Sequence, residues 1–448
     1  MPPPSQRLEP RKACIIGAGS SGLAVAKAFR DSEIPFDCFE ESDRVGGLWV
    51  FKNKNGKSAA YRSLSINTSR DRMQYADFPM PRDYPHYPGH EELARYFEAY
   101  AVHFDLLRTI RFQTRVTEVR PEEHGGFRVA LGDGTSEHYR AVVVANGHHW
   151  DPSWPDPPVP GSFAGITLHS HAYVDPGEPH DLRGKRVVVV GFGNSAVDIA
   201  CELAREGAAA SVVLATRRGA WVLPKFLGKT PLDQLKLVPL FLPVPLRQRL
   251  GHLFYRAIVG RPEDYGLPRP DHLLGGAHPT ISSQLLPMLK AGRVRAKPNL
   301  VRFRGTEVEF ADGTREHADA VVFATGYKVS FPFFEPSFVS APNNELPLYY
   351  RLFHVTVDDL FFVGLAQPLG AIMPIAEAQA KLLADHLAGR YRLPPRDVML
   401  RVTEEETRTM KQRYVASRRH TMQIDFDDFM LALAKEHRAG RKRAARRS

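Results

Sequence analysis

With 448 residues, 43% of them apolar, the chain exceeds what one ordinary core accommodates, so two domains are expected. No apolar run is long enough to span a bilayer, and the most apolar surface-type stretch, residues 235–246, is cut by Pro239, Pro243 and Pro245. Three scattered cysteines (Cys14, Cys38, Cys201) make neither a disulfide framework nor a metal site, which points to a reducing, cytoplasmic location; the net charge of +10 is uneven and gathers at the C-terminus.

The first residues, Met1-Pro2-Pro3-Pro4, lack the apolar core of a signal peptide and read as a short disordered lead. A short apolar strand over 11–16 (RKACII) runs into Gly17-Ala18-Gly19-Ser20-Ser21-Gly22. A helix follows over about 21–31, then a second strand over 36–39 ending at Glu40. That strand–loop–helix–strand context turns a weak glycine pattern into a strong one for a dinucleotide. Gly17 permits the turn, Gly19 lets backbone approach a pyrophosphate, and Gly22 lets helix and strand pack closely. The helix start offers free N–H groups at Ser20 and Ser21. Glu40, 18 residues after Gly22, is placed to accept ribose hydroxyls. Gly46-Gly47-Leu48-Trp49 comes next; a Gly-Gly pair there is common where FAD lies extended along the fold. Trp49 suits either a flavin cover or core packing.

Residues 151–160 (DPSWPDPPVP) carry five prolines and read as an extended, stiff linker. Residues 163–173 then fit the pattern F-x-G-x-x-x-H-x-x-x-Y, with Phe163, Gly165, His169 and Tyr173 at its fixed positions. A continuous β-branched run over 185–190 (KRVVVV) is a buried parallel strand. It opens a second glycine loop, Gly191-Phe192-Gly193-Asn194-Ser195-Ala196. Ala196 stands where a third glycine would be. The next strand ends in Thr216-Arg217-Arg218 and not in an acid. Arg217 or Arg218 would pair with a 2′-phosphate that an acid would repel, so NADPH is favoured over NADH. Residues 229–274 are Pro-rich and less patterned, and are expected to shape substrate entry. Residues 319–326 (DAVVFATG) form another buried strand. The tail over 437–448 holds six Arg and Lys residues with no acid after Glu436. It reads as a solvated, disordered end, and nothing else in the chain supports nucleic-acid recognition.

Taken with the two loops, the 163–173 pattern resembles the fingerprint of the flavin-containing monooxygenases. Further segments look like the same family: 39–51 (FE…GGLW-F), 66–69 with 77–79, 216–224 (TRRGAWVLP), 323–327 (FATGY) and 370–380 (GAIMPIAEAQA). Together they cover residues 12–390. The resemblance implies an α/β fold of two Rossmann-like domains, the NADPH domain inserted in the FAD domain. The expected divisions are 1–170 and 319–435 for FAD, 171–318 for NADPH, and 436–448 as a basic tail. It implies that NADPH reduces FAD, that O₂ then forms a C4a-hydroperoxide, and that one oxygen passes to an amine nitrogen or sulfide sulfur. It also implies that Asn67 serves the oxygen chemistry, with Thr68 beside it and Gln379 near the flavin ring. His169 is expected to hold the interdomain link, and His148 and His149 to sit at a domain junction. Tyr173 followed by Val174 departs from the Baeyer–Villiger relatives, which leaves ketone oxygenation as the alternative. Unlike membrane-bound animal members, the chain ends in charges, so a soluble member with no transmembrane anchor is expected. A homodimer is compatible with the sequence, although no heptad or exposed apolar stripe argues for one. A disulfide reductase would need a redox cysteine pair that is lacking. A non-catalytic nucleotide-binding scaffold differs from an enzyme only in turnover.

Overall fold

The computed structural model describes residues 12–235, 242–414 and 420–446. The N-terminal lead and Pro239 lie outside the described residues. Two sheets organise the rest. The first has seven strands in the order Leu348–Tyr349, Phe353–His354, Leu360–Phe362, Ala141–Val144, Ala13–Ile16, Phe36–Phe39, Ile110–Arg111. The second has five, in the order Val294–Pro298, Ser211–Thr216, Arg186–Val190, Ala320–Phe323, Ile166–His169, and all its pairings are parallel. The central strands are continuous runs of buried apolar residues, as parallel strands covered on both faces must be.

The two units are built alike. In each, the central strand leads into a glycine loop and a helix, Ser20–Asp31 in the first and Asn194–Leu203 in the second. Each has a three-stranded antiparallel meander placed just before the strand that flanks the centre. One spans Val116–Pro121, Phe127–Leu131 and Ser136–Tyr139; the other spans Leu300–Arg304, Glu307–Phe310 and Arg315–His317. Apolar residues recur along one side of Ser20–Asp31, burying Leu23, Val25, Ala26 and Phe29 against the first sheet and the helix Met373–Leu387.

This topology corrects the expected divisions. The strand Ala320–Phe323 does not return to the first sheet. It pairs with Arg186–Val190 through Val187↔Ala320 to Val190↔Phe323, and its other neighbour is Ile166–His169. The second unit therefore takes in residues on both sides of 171–318. The chain passes between units at two short strands that pair antiparallel, Asp151–Pro152 with Tyr327–Lys328. The Ser330 hydroxyl donates to Asp151 there (2.5 Å), and the Ser153 N–H to Gly326 O (2.9 Å). His169 accordingly ends a strand inside the second unit and does not precede it.

The basic tail is also corrected. The helix Phe426–Ala445 runs through most of it. Asp425 caps the helix start by accepting the Asp428 N–H (3.2 Å). Acids fill the first turn and bases the last, the arrangement that a helix dipole favours. Gly440 fits under the Tyr391 ring, where a Cβ would come within 2.0 Å. Arg443 donates to Arg392 O (2.9 Å) and pairs with Glu436. One exposed apolar stripe exists against expectation: Leu246, Leu250 and Leu253 of the helix Val244–Ile258 are 42%, 39% and 64% exposed. Among the described residues, no helix is long and apolar enough to cross a membrane, and no His, Cys, Asp and Glu group could hold a metal ion.

Candidate functional site

The strands of the first unit end together. Ile16 lies beside Phe39 on one side and Val144 on the other, so the chain ends at Gly17, Glu40 and Ala145 converge. At Gly17 the backbone turns with φ +101°, and a Cβ would stand 2.7 Å from Ala145 O. A Cβ on Gly22 would stand 1.8 Å from Gly17 O. Gly19 and Gly47 cross backbone to backbone: a Cβ on Gly47 would lie 3.2 Å from the Gly19 Cα. Gly17 and Gly22 are thus fixed by close approaches that no side chain permits, whereas a Cβ on Gly19 would meet the Gly47 Cα at an ordinary 3.6 Å.

A cleft opens on this convergence, with about 1030 Å³ of empty space including its open mouth. Gly17, Gly19, Ser20, Ser21, Glu40, Gly47, Leu48 and Trp49 all line it, as expected from the sequence. The helix Ser20–Asp31 begins at Gly19 with no side-chain cap, which leaves its first N–H groups for an anion. Glu40 is buried; its carboxylate accepts the N–H groups of Ala18 (2.7 Å) and Ser42 (2.8 Å). Burial raises its pKa, and those two N–H groups work against the rise. Trp49 lines the cleft and packs on the core. Sequence reasoning missed the far wall: Lys57, Thr114, Asn146, Trp150 and Phe333. Lys57 Nζ sits 4.8 Å over the Trp150 ring and bonds Glu41 (2.5 Å). No local pattern marks these residues, because they come from four loops.

The second glycine loop repeats the first. A Cβ on Gly191 (φ +133°) would lie 2.4 Å from Ala324 O, the counterpart of Ala145 O. The helix starts at Gly193 without a side-chain cap. Ala196 is fully buried, and Ser195 is half-buried beside it. Asn194 Oδ1 accepts the Ile281 N–H (2.8 Å), and the Thr280 hydroxyl donates to Phe192 O (2.6 Å), so the segment around 280 braces this loop. Arg217 and Arg218 are exposed beyond the strand Ser211–Thr216; Arg218 lies 4.0 Å from Asp271.

Asn67 and Thr68 do not line the cleft around Gly17. They lie on a loop between the units. The Thr68 hydroxyl donates to Gly370 O (3.2 Å), and the Asn67 amide oxygen is buried with no protein partner. Such an orphaned acceptor fits a donor from a bound nucleotide. Gln379 does not line the cleft. It is fully buried; its Oε1 accepts the Gly364 N–H (3.0 Å) and its Nε2 donates to Tyr350 O and Arg351 O (3.1 Å each). Its amide is spent on backbone, and it acts on the first loop only through Gly364, where a Cβ would stand 2.0 Å from Ser21 Oγ.

The 163–173 pattern has a structural meaning. Phe163 stacks on Phe303 at 5.1 Å, and a Cβ on Gly165 would strike Asp319 O at 2.5 Å. His169 Nδ1 accepts the His171 N–H (3.0 Å), with the Trp154 ring 5.5 Å and the Tyr327 ring 5.6 Å away. Burial lowers its pKa to about 4, so it is neutral at pH 7. The Tyr173 hydroxyl donates to Glu202 (2.9 Å). His149 reaches the same Tyr327 ring at 5.6 Å, and burial takes the neighbouring His148 to about 4. These residues fasten the crossing between units.

Residues 10–441 match the flavin-binding monooxygenase-like family. The chain is 36% identical over 455 aligned positions to flavin-containing monooxygenase 5 of Rattus norvegicus, covering 95% of this chain and 82% of that protein. It is 35% identical over 448 positions to dimethylaniline monooxygenase [N-oxide-forming] 2 of the same organism, with the same coverage. Among solved structures, S-allyl-L-cysteine S-oxygenase from Allium sativum superposes with a TM-score of 0.70 at 25% identity, over 97% of this chain and 92% of that one.

Proposed function

The chain belongs to the flavin-binding monooxygenase-like family, and we propose that its substrates are small soft nucleophiles, sulfides foremost and tertiary amines beside them. It is an FAD-dependent NADPH monooxygenase. The overall reaction is R₂S + O₂ + NADPH + H⁺ → R₂S=O + H₂O + NADP⁺, so one oxygen atom enters the product and the other leaves as water. FAD, when bound, supplies the two-electron relay from NADPH and the activation of O₂. The first glycine loop, Glu40 and the 46–49 turn would hold it. The second loop and Arg217 would hold NADPH.

One observation carries the reading: a buried, unpartnered Asn67 amide oxygen set between two nucleotide-binding units. An amide orients a ligand without offering an acidic proton to the oxygen chemistry. The names of two relatives, an N-oxide-forming enzyme and an S-oxygenase, support nitrogen and sulfur as acceptors. Tyr173, held by Glu202, keeps the ending that argues against ketone oxygenation. A cytoplasmic location is part of the proposal, supported by three cysteines that are all free and buried.

The test is product analysis. Purified holoenzyme with NADPH and ¹⁸O₂ is offered methyl p-tolyl sulfide, N,N-dimethylaniline and a cyclic ketone, and the products are read by mass spectrometry. Sulfoxide and N-oxide carrying one ¹⁸O are expected. A lactone as the main product would overturn the nucleophile reading, and H₂O₂ alone with all three would leave a nucleotide-binding protein without oxygenase function.

A further inference from the structure

Asn67 is gripped on both flanks by one short segment of the second unit. On its N-terminal side, Lys225 Nζ donates to Ser65 Oγ (2.8 Å) and Ile66 O (3.1 Å). On its C-terminal side, Asp233 Oδ2 accepts the Ser69 N–H (2.7 Å), and Gln234 Nε2 donates to Asp71 (2.8 Å) and Ser69 Oγ (3.3 Å). Between Lys225 and Asp233 the chain forms a hairpin, Phe226–Leu227 against Thr230–Pro231, closed at its base by the Leu232 N–H on Lys225 O (2.9 Å). That closure fixes the separation of the two gripping side chains. The hairpin is itself seated on the first unit. The Phe226 ring meets Tyr87 edge-on at 5.1 Å, and the Tyr87 hydroxyl donates to Lys225 O.

Among the described residues, none bonds the Asn67 amide oxygen. Its place is therefore set by the backbone on either side, and that backbone is tied to Gly370 through Thr68, to the hairpin through Ser65, Ile66 and Ser69, and to the 86–88 segment through the Ile66 N–H on Pro88 O (3.0 Å) and the Arg70 N–H on His86 O (2.8 Å). The Lys225 and Asp233 bonds are charge-assisted and half-buried, the kind that fix geometry more firmly than neutral surface bonds. The sequence between 224 and 235 shows no motif, and only the fold brings it to Asn67.

We propose that the 225–234 hairpin is the positioning device for Asn67, with Lys225 and Asp233 as its two positioning residues, so that the nicotinamide unit sets the placement of a residue serving the oxygen chemistry. The proposal rests on the reading of Asn67 given above. Neither residue touches substrate; each acts through the 65–69 backbone.

The experiment uses purified holoenzyme of the wild type and of Lys225→Met, Lys225→Arg, Asp233→Leu, Asp233→Asn and Asn67→Leu. Two quantities are measured: hydrogen exchange of the 64–71 peptide in the oxidised protein without turnover, and H₂O₂ released per NADPH consumed in the presence of a sulfide. Lys225→Met and Asp233→Leu are expected to speed exchange of that peptide about tenfold and to raise the H₂O₂ yield toward that of Asn67→Leu, with flavin content retained. Lys225→Arg and Asp233→Asn keep a donor and an acceptor and are expected near wild type. Unchanged exchange in both disruptive variants would overturn the proposal. So would faster exchange with a wild-type H₂O₂ yield where Asn67→Leu raises it. A wild-type yield in Asn67→Leu would instead overturn the role of Asn67, and the exchange data alone would then uphold or overturn the grip. Lys225→Leu carries the same test should Lys225→Met not fold.

Discussion

Gly22→Ala is the sharpest test of how the first nucleotide is held. A methyl there would put carbon 1.8 Å from Gly17 O and 2.9 Å from Gly17 C. Ordinary contact needs about 3.5 Å, so helix and loop would have to part by roughly 1.5 Å. The helix Ser20–Asp31 cannot give way freely. Leu23, Val25 and Phe29 are fully buried on one side, and Met373–Leu387 packs on another. Overpacking of this kind costs about 1–3 kcal/mol before any loss of ligand contacts. The loop that moves is the one presenting Ser20 and Ser21 to the cleft. With tenfold per 1.4 kcal/mol, FAD binding should weaken by about 5- to 140-fold. The assay is flavin per chain after purification, followed by fluorescence titration of FAD into deflavinated protein. Ala196→Gly is the control, because the second loop already carries a methyl at its third position. It should cost helix stability by about 0.5–1 kcal/mol and leave FAD binding unchanged. A Gly22→Ala protein holding one FAD per chain with a dissociation constant within about threefold of wild type would refute the close-packing argument.

Arg217→Ala should lower kcat/KM for NADPH about 10- to 100-fold and leave NADH almost untouched, as loss of one charge-assisted phosphate contact requires; an equal loss for both nucleotides would remove the 2′-phosphate assignment. Gln379→Leu strands the Gly364 N–H and two carbonyls, and should cost about 2–4 kcal/mol in urea unfolding, with weaker flavin retention because Gly364 backs Ser21. Burial raises the pKa of Asp198 from 3.8 to about 6, against the Tyr61 hydroxyl that donates to it (2.6 Å). A carboxyl raised in the folded state gives stability that is whole below about pH 4 and is lost as pH rises through about 6. Asp198→Asn keeps an acceptor for Tyr61 and should erase that fall, about 2–3 kcal/mol across the window, in denaturant melts taken along it.

Both nucleotide loops were legible because their physics is local: a strand, a turn that needs glycine, and a helix start follow one another in the chain. The assignment of Ala320–Phe323 to the wrong sheet has an equally physical cause. Residues 319–326 read DAVVFATG and residues 140–147 read RAVVVANG. Each is the buried strand beside a glycine-loop strand, and each presents an alanine carbonyl, Ala145 or Ala324, to the first glycine of its loop. The pattern reports that role and is silent on which of two equivalent sheets the strand joins. Gln379 misled in a related way. A lone amide in an apolar helix signals a buried partner, but its partners are backbone groups at 350, 351 and 364, which no side-chain pattern announces. The terminal helix was hidden by its charges, since Arg443 and Glu436 look alike whether solvated or paired.

The two units share a plan and differ in how they close, and that difference separates a resident cofactor from an exchanging one. Around the first loop, the 46–49 turn crosses Gly19 backbone to backbone, while residues 114–116, 146–150 and 332–333 wall the cleft from other directions. A nucleotide leaving it must part several loops at once. Around the second loop, the residues placed for the phosphate end, Arg217 and Arg218, stand exposed at the end of a strand. The segment around Thr280 and Ile281 braces that loop through two hydrogen bonds. Flavin must stay through every cycle, whereas NADP⁺ must leave and NADPH return, so this difference supports the proposed assignment of the enclosed loop to the first and the open loop to the second. The hairpin gripping Asn67 springs from the open unit. On the proposed roles of the second loop and of Asn67, nucleotide exchange and the placement of Asn67 are joined in one body, which would give a protein with two similarly built units a way to keep oxygen chemistry and nucleotide release in order.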